Sequence, residues 1–227
     1  MNKENLIKIP SHSPIKRFPG NYTDIPKYDK KRNNYMILHS CKMLNKFYNK
    51  DGITALVLDG KEMRTTNVLM KLGEKLKKID IVEINPDTYN RMKQLTRNNK
   101  KINAHNMHLK NYLDFNLCDP LTNLVYFDAM CSLFSSEASF GSDIMINEFL
   151  RRNKCNQIIF GITICLRDGY SMNYKVKEKK ILTLLDKIFS GNGFQYTNLT
   201  SDNDSRYRGQ NMCSRAMAFY LFFLERI

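Results

Sequence analysis

The chain lacks the marks of metal-built, disulfide-built and membrane-spanning proteins. None of its six cysteines, Cys41, Cys118, Cys131, Cys155, Cys165 and Cys213, forms a C-x-x-C pair. Its four histidines do not supply zinc-finger spacing, so no metal site is expected. His105 and His108 stand three apart without a visible third ligand, which points to packing or surface roles. The cysteines sit in apolar or strand-like segments of a large basic domain, so free buried thiols are expected. No apolar run reaches the roughly 20 residues a membrane helix needs. Met1-Asn2-Lys3-Glu4 leads into a Pro- and Lys-rich stretch and not an apolar signal core. The expectation is an intracellular protein, cytoplasmic or nuclear, neither secreted nor membrane-bound. No internal repeat appears.

Acid is also scarce. The 227 residues carry 36 Lys and Arg against 22 Asp and Glu, a net charge of +14. Such a balance favours polyanions as partners, because neutralising phosphates releases their counterions. The hydrophobic fraction, 42%, is too high for a disordered chain, and the length suits one α/β domain with a core. Abundant Asn and Lys match an AT-rich genome, as in a large DNA virus, a parasite or an endosymbiont.

Residues 1–32 differ from the rest. They hold Pro10, Pro14, Pro19 and Pro26 with the basic groups Lys16, Arg17, Lys30, Lys31 and Arg32. The first 50 residues carry 11 Lys and Arg against 3 Asp and Glu, and the other 177 carry 25 against 19. The composition suggests an extended arm that is either a solvated leader or a clamp on nucleic acid. Residues 33–227 form the folded domain.

Within that domain, apolar spacing predicts helices over about 34–49, 64–77, 174–190, one after Pro86 and one around 144–150 with Ser142 as N-cap. Buried strands are expected at 54–58, 79–84, 124–127 and 157–164, and a weak one near Met107–Leu109 or slightly beyond. Two late strands, about 194–200 and 216–225, have no helix between them. The alternation predicts an α/β fold, a doubly wound, seven-stranded, mostly parallel sheet closed by a C-terminal antiparallel hairpin.

Ligands of such a sheet bind beyond the carboxyl ends of its strands. The residues there are Asp59-Gly60, Glu83-Ile84-Asn85, Asp114 near the third strand, Asp128-Ala129-Met130-Cys131, and Cys165-Leu166-Arg167. Glu83 ends an apolar strand 24 positions after Asp59, where a carboxylate can accept two ribose hydroxyls.

At these residues the chain resembles the class I S-adenosylmethionine-dependent methyltransferases over about 53–227. The carriers are Leu56-Val57-Leu58-Asp59-Gly60, Val82-Glu83-Ile84-Asn85, Val125-Tyr126-Phe127-Asp128 and the terminal hairpin. The resemblance implies S-adenosylmethionine as cofactor. It places Asp59 near the methionine amino group, Glu83 on the ribose, Asn85 at the adenine, Asp114 beside the adenine amine and Asp128 at the transfer centre. The family's Gly-rich loop is reduced to Gly60, and Thr65 and Thr66 would offer hydroxyls and cap the next helix.

For the acceptor, the (D/N)-P-P-(Y/F) clamp of the adenine-N6 and cytosine-N4 enzymes is absent. Asp128-Ala129-Met130-Cys131-Ser132 resembles the D-A-P-C-S of RNA cytosine-5 methyltransferases, which implies Cys131 as nucleophile, although the family's second T-C pair is one residue off at Thr163-Ile164-Cys165. Arg167 and the interleaved Arg206, Tyr207 and Arg208 could join the arm in a basic rim for RNA or DNA. The expected function is methyl transfer to nucleic acid, RNA slightly ahead of DNA. The alternatives are a non-catalytic nucleic-acid-binding protein on a degenerate scaffold, and a nucleotide-binding oxidoreductase, which the missing G-x-G-x-x-G disfavours.

Overall fold

A computed structural model describes residues 30–47, 52–128, 142–165, 174–200, 206–207 and 217–227. Its strands are β1 (Ile53–Val57), β2 (Leu76–Glu83), β3 (Ile102–Asn106), β4 (Leu124–Phe127), β5 (Gln157–Cys165), β6 (Phe194–Asn198), β7 (Arg206–Tyr207) and β8 (Met217–Arg226). Its α-helices are α1 (Lys30–Phe47), α2 (Arg64–Leu69), α3 (Pro86–Thr96), α4 (Leu109–Asp114), α5 (Ser142–Arg152) and α6 (Tyr174–Gly191). The sheet order is β3-β2-β1-β4-β5-β8-β6, with the two-residue β7 pairing β8.

Strands β1 to β5 pair in parallel, and β8 is antiparallel to both β5 and β6. The expected doubly wound sheet with an antiparallel close is therefore present. Its last strand does not sit at the edge but slides between β5 and β6. Nine residue pairs, from Gln157↔Glu225 to Cys165↔Met217, join it to β5. No helix of the described residues is long and apolar enough to cross a membrane.

The central strands are apolar on both faces because helices cover both. Ala55, Val57, Ile79, Ile81, Tyr126 and Phe219 face one core with α1, α2 and α3. Leu56, Val82, Val125, Phe127 and Phe160 face the other with α4, α5 and α6. Full burial of one such side chain contributes about 1.5–3 kcal/mol. Gly161 serves close packing within β5. A Cβ there would stand 3.0 Å from Tyr126 Cδ2 and 3.3 Å from Leu221. Its absence lets the Tyr126 ring settle and its hydroxyl reach Thr163 Oγ1 at 2.9 Å.

Three expectations are corrected. The helix expected over 64–77 stops early: α2 passes into a 3₁₀ turn (Met70–Lys75), where Gly73 adopts φ 59°, and Leu76 opens β2. The third strand is Ile102–Asn106, earlier than expected. As the outer strand, none of its residues is fully buried, so it needs no apolar alternation. The basic run 30–32 belongs to α1 and not to an arm. Arg32 is 1% exposed, so its guanidinium is part of the domain and not an extended clamp. Among the described residues Cys41, Cys118 and Cys155 are free thiols; Cys41 is buried, as expected, and Cys118 and Cys155 are half-buried. Burial pushes Cys118 and Cys155 up to about 11.

Candidate functional site

The strand order turns at β1. From there the chain steps outward to β2 and β3, then returns to β4 and β5 on the other side. Such a turning point opens a crevice at the carboxyl ends of β1 and β4. Register decides what meets there. Val57 is level with Ile81 on one side and Tyr126 on the other, and Glu83 is level with Asn106. The Leu58 N–H donates to the Tyr126 carbonyl at 3.0 Å, carrying the pairing just past β1, so Asp59 after β1 and Asp128 after β4 follow at the same carboxyl-end side as Glu83, the last residue of β2.

Within β2, alternation puts Glu83 on the side of Ile81, and Asp59 is turned toward α2 by its bond to the Thr66 N–H. With strands about 4.8 Å apart, this row of strand ends spans about 10 Å of backbone from Glu83 to Asp128. Three carboxylates at adjacent strand ends are unusual on a chain of charge +14. They suit a ligand with cationic groups and hydroxyls.

Asp59 is 9% exposed. Its Oδ1 accepts the Gly60 N–H at 3.1 Å and its Oδ2 accepts the Thr66 N–H at 2.8 Å. It thereby satisfies an orphan N–H in the first turn of α2 and closes the loop on itself. Burial pushes its carboxyl above the ordinary value, the Thr66 and Gly60 hydrogen bonds pull it back, and the charge of Asp128 raises it further.

The threonines do not play the expected part. Thr65 is buried and its hydroxyl donates to Asn34 Oδ1 at 3.1 Å, tying α2 to α1. Thr66 is fully buried, and the cap comes from Asp59. At the turn itself stands Met63, buried at φ 48°, a left-handed conformation that glycine would adopt without cost. Gly60 is exposed, its φ is not positive, and a Cβ added there would meet only Glu62 Oε2 at 4.0 Å. Neither its backbone nor its neighbours require a glycine.

Glu83 accepts the Asn85 N–H at 2.7 Å through Oε1. Asn85 is the N-cap of α3, its Oδ1 accepting the Thr88 N–H at 2.9 Å, so its side chain serves the helix first. Between them Ile84 is 64% exposed, an apolar surface beside the carboxylate row. Asp114 lies elsewhere. It ends α4 and is bound to Lys110 Nζ at 2.6 Å. The end of β3 instead carries Asn106, whose Nδ2 donates to the Glu83 and Ile84 carbonyls at 3.0 and 3.2 Å, followed by His108, the N-cap of α4. Placing β3 too late hid both.

Of the basic candidates, Lys31 is exposed on the first turn of α1, beside Lys30. Arg206 and Tyr207 form β7, paired with Ala218 and Met217, which also pair with Ile164 and Cys165. This register carries β7 to the carboxyl-end side of the sheet. Lys16, Arg17, Cys131, Arg167 and Arg208 lie outside the described residues.

No protein-family model matches the chain, and no curated protein matches it in sequence. Its fold matches solved methyltransferase structures. TYW2 of M. jannaschii, in complex with AdoMet, aligns with a TM-score of 0.51 at 12% identity over 85% of this chain and 77% of that one. The N-methyltransferase NodS of Bradyrhizobium japonicum gives 0.51 at 12% identity over 87% and 97%. The fibrillarin pre-rRNA processing protein of Methanococcus jannaschii gives 0.54 at 12% identity over 78% and 67%. The fold is that of the class I methyltransferases. These archaeal and bacterial likenesses lend no support to a viral source.

Proposed function

We propose that the chain transfers a methyl group from S-adenosylmethionine to a nucleic acid, RNA ahead of DNA. The observation that carries this reading is the group of acids Glu83, Asp59 and Asp128 at the carboxyl ends of β2, β1 and β4, at the turning point of the strand order. The residues fit the cofactor. Glu83 keeps Oε2 for ribose hydroxyls, since only Oε1 is bonded to Asn85. Ile84 offers an apolar surface to the adenine. Asp59 holds the loop beneath the methionine moiety and adds negative charge near its ammonium group. The open space over Gly60 leaves room for close approach.

When bound, the sulfonium supplies an electrophilic methyl for in-line displacement. The chain's part is alignment and, for acceptors that lose a proton, its removal. Asp128 stands at the β4 end of the row and is the group assigned to positioning or proton acceptance. Cys131, three residues on, is the nucleophile if the acceptor is a cytosine C5. Net charge +14, the basic residues of the N-terminal segment and Arg206-Tyr207 support a polyanionic acceptor. Among the fold neighbours, fibrillarin is a pre-rRNA processing protein, which puts RNA first.

A second reading, a nucleic-acid-binding protein without catalysis, is favoured by the loop after β1, where Met63 replaces a glycine conformation and Asp59 bonds its own backbone. Calorimetric titration with S-adenosylmethionine and S-adenosylhomocysteine, with NAD as control, separates the two. Micromolar binding of the first two and not of NAD is expected, followed by methyl transfer to RNA. A folded protein that binds neither removes the methyltransferase reading.

A further inference from the structure

Helix α6 carries a basic surface that no feature of the carboxylate row uses. Ile181, Leu185 and Phe189 face the core, and the opposite side of the helix presents Lys179, Lys180 and Lys187 to solvent. With Val176, Thr183 and Leu184 these lysines form one stripe along the outer face of α6. Val176 is 46% exposed, so the stripe is partly apolar. Among the described residues none of the three ammonium groups is ion-paired. One acid, Asp186, directly precedes Lys187 on the same helix.

The placement of α6 gives the surface a direction. β5 and β6 are both antiparallel to β8, hence parallel to each other, and α6 is the crossover between them. It therefore starts at the carboxyl-end side, where Asp128 stands, and runs away from it. From Val176 to Lys187 the stripe is about 17 Å long. One strand of a duplex carries about five phosphates over that length.

We propose that this lysine stripe binds the phosphate backbone of the nucleic-acid substrate and guides it toward the Asp128 end of the row; the proposal rests on the reading of the acceptor as nucleic acid. Lysine is depleted at protein–protein interfaces, where its flexible, strongly hydrated head costs more than it contributes. The same residue suits phosphates, which need charge more than fixed geometry. An acidic protein partner is therefore the less favoured occupant.

The test uses the full chain, a single-stranded RNA oligonucleotide and fluorescence anisotropy between 50 and 200 mM salt. Lys179→Ala, Lys180→Ala and Lys187→Ala are combined in one variant. The three positions are exposed, so the melting temperature and the S-adenosylmethionine titration should not change. Losing three phosphate contacts lowers the slope of log K against log salt by about 2. The wild type then loses about 20-fold more affinity across that range than the variant does. An unchanged slope and affinity in the variant overturns the stripe while leaving the nucleic-acid reading intact. A wild type that binds no RNA at any salt overturns both. Loss of polyglutamate binding with RNA binding retained also overturns it, in favour of an acidic protein partner.

Discussion

Replacing Gly60 by alanine should raise stability and lower cofactor affinity at once. The backbone there is not in the left-handed region, and the new Cβ would have only Glu62 Oε2 near it, at 4.0 Å. A glycine-to-alanine change at such a site stabilises by about 0.4–1 kcal/mol, because the unfolded chain has less freedom to lose. For a chain of this size that is a rise in Tm of about 1–4 °C. If S-adenosylmethionine lies against the loop, the same methyl group stands between ligand and backbone. A tenfold weaker Kd, about 1.4 kcal/mol, is the least such an intrusion should cost. Differential scanning fluorimetry and calorimetric titration read the two effects separately. Gly191→Ala is the control, since nothing lies within 4 Å of a Cβ there and the residue ends α6, on the crossover between β5 and β6. It should leave binding unchanged. An unaltered Kd for Gly60→Ala, with the expected gain in Tm, would refute the placement of the ligand over Gly60. A fall in Tm would refute the geometry of the loop itself.

Other outcomes follow from the same contacts. Glu83→Gln should weaken S-adenosylmethionine about 10–100-fold, the value of a hydrogen bond to a charged group, with little change in Tm because the side chain is half-buried; equal affinity removes Glu83 from the site. Asn34→Ala should cost about 1 kcal/mol and speed amide exchange in residues 59–66, because Thr65 loses its buried partner; unchanged exchange would show that α1 does not brace the loop. Asp80 is buried and bonded to Lys78 at 2.8 Å and His105 at 3.1 Å. Burial raises its carboxyl, but the hydrogen bonds and charges of His105 and Lys78 outweigh this and hold it below the ordinary value. Its stabilisation is therefore complete above the unfolded pKa near 3.9 and is lost as pH falls through the lower, folded value. Asp80→Asn should cost about 1–3 kcal/mol at pH 7, and the gap from wild type should narrow below about pH 4 in urea melts. A gap independent of pH would mean that the pair contributes nothing as charges.

How far sequence alone reaches differs from element to element. Strands β1, β2, β4 and β5 were plain because they are buried on both faces and so read as unbroken apolar runs. β3 was misplaced because it is the outer strand, and Ile102-Asn103-Ala104-His105-Asn106 needs no apolar period. That one error brought Asp114 into the expected site and hid Asn106 and His108. Arg32 looked like part of a basic arm because charge usually marks solvent, yet it closes the first turn of a buried helix. Thr65 looked like a ligand donor because nothing local reveals Asn34, 31 residues away, as its partner.

The order of strands and helices, the acids at the strand ends and the antiparallel close were determined by the chain itself, through unbroken apolar runs and a 3.6-residue period that the segments carry locally. Only the tertiary structure decided that β8 lies between β5 and β6, that Asp59 caps α2 and that the carboxyl ends of β2, β1 and β4, with Glu83, Asp59 and Asp128, stand side by side. Those facts depend on pairing register between segments far apart in sequence. Register is set when both faces of the sheet are buried together, and no single segment contains it.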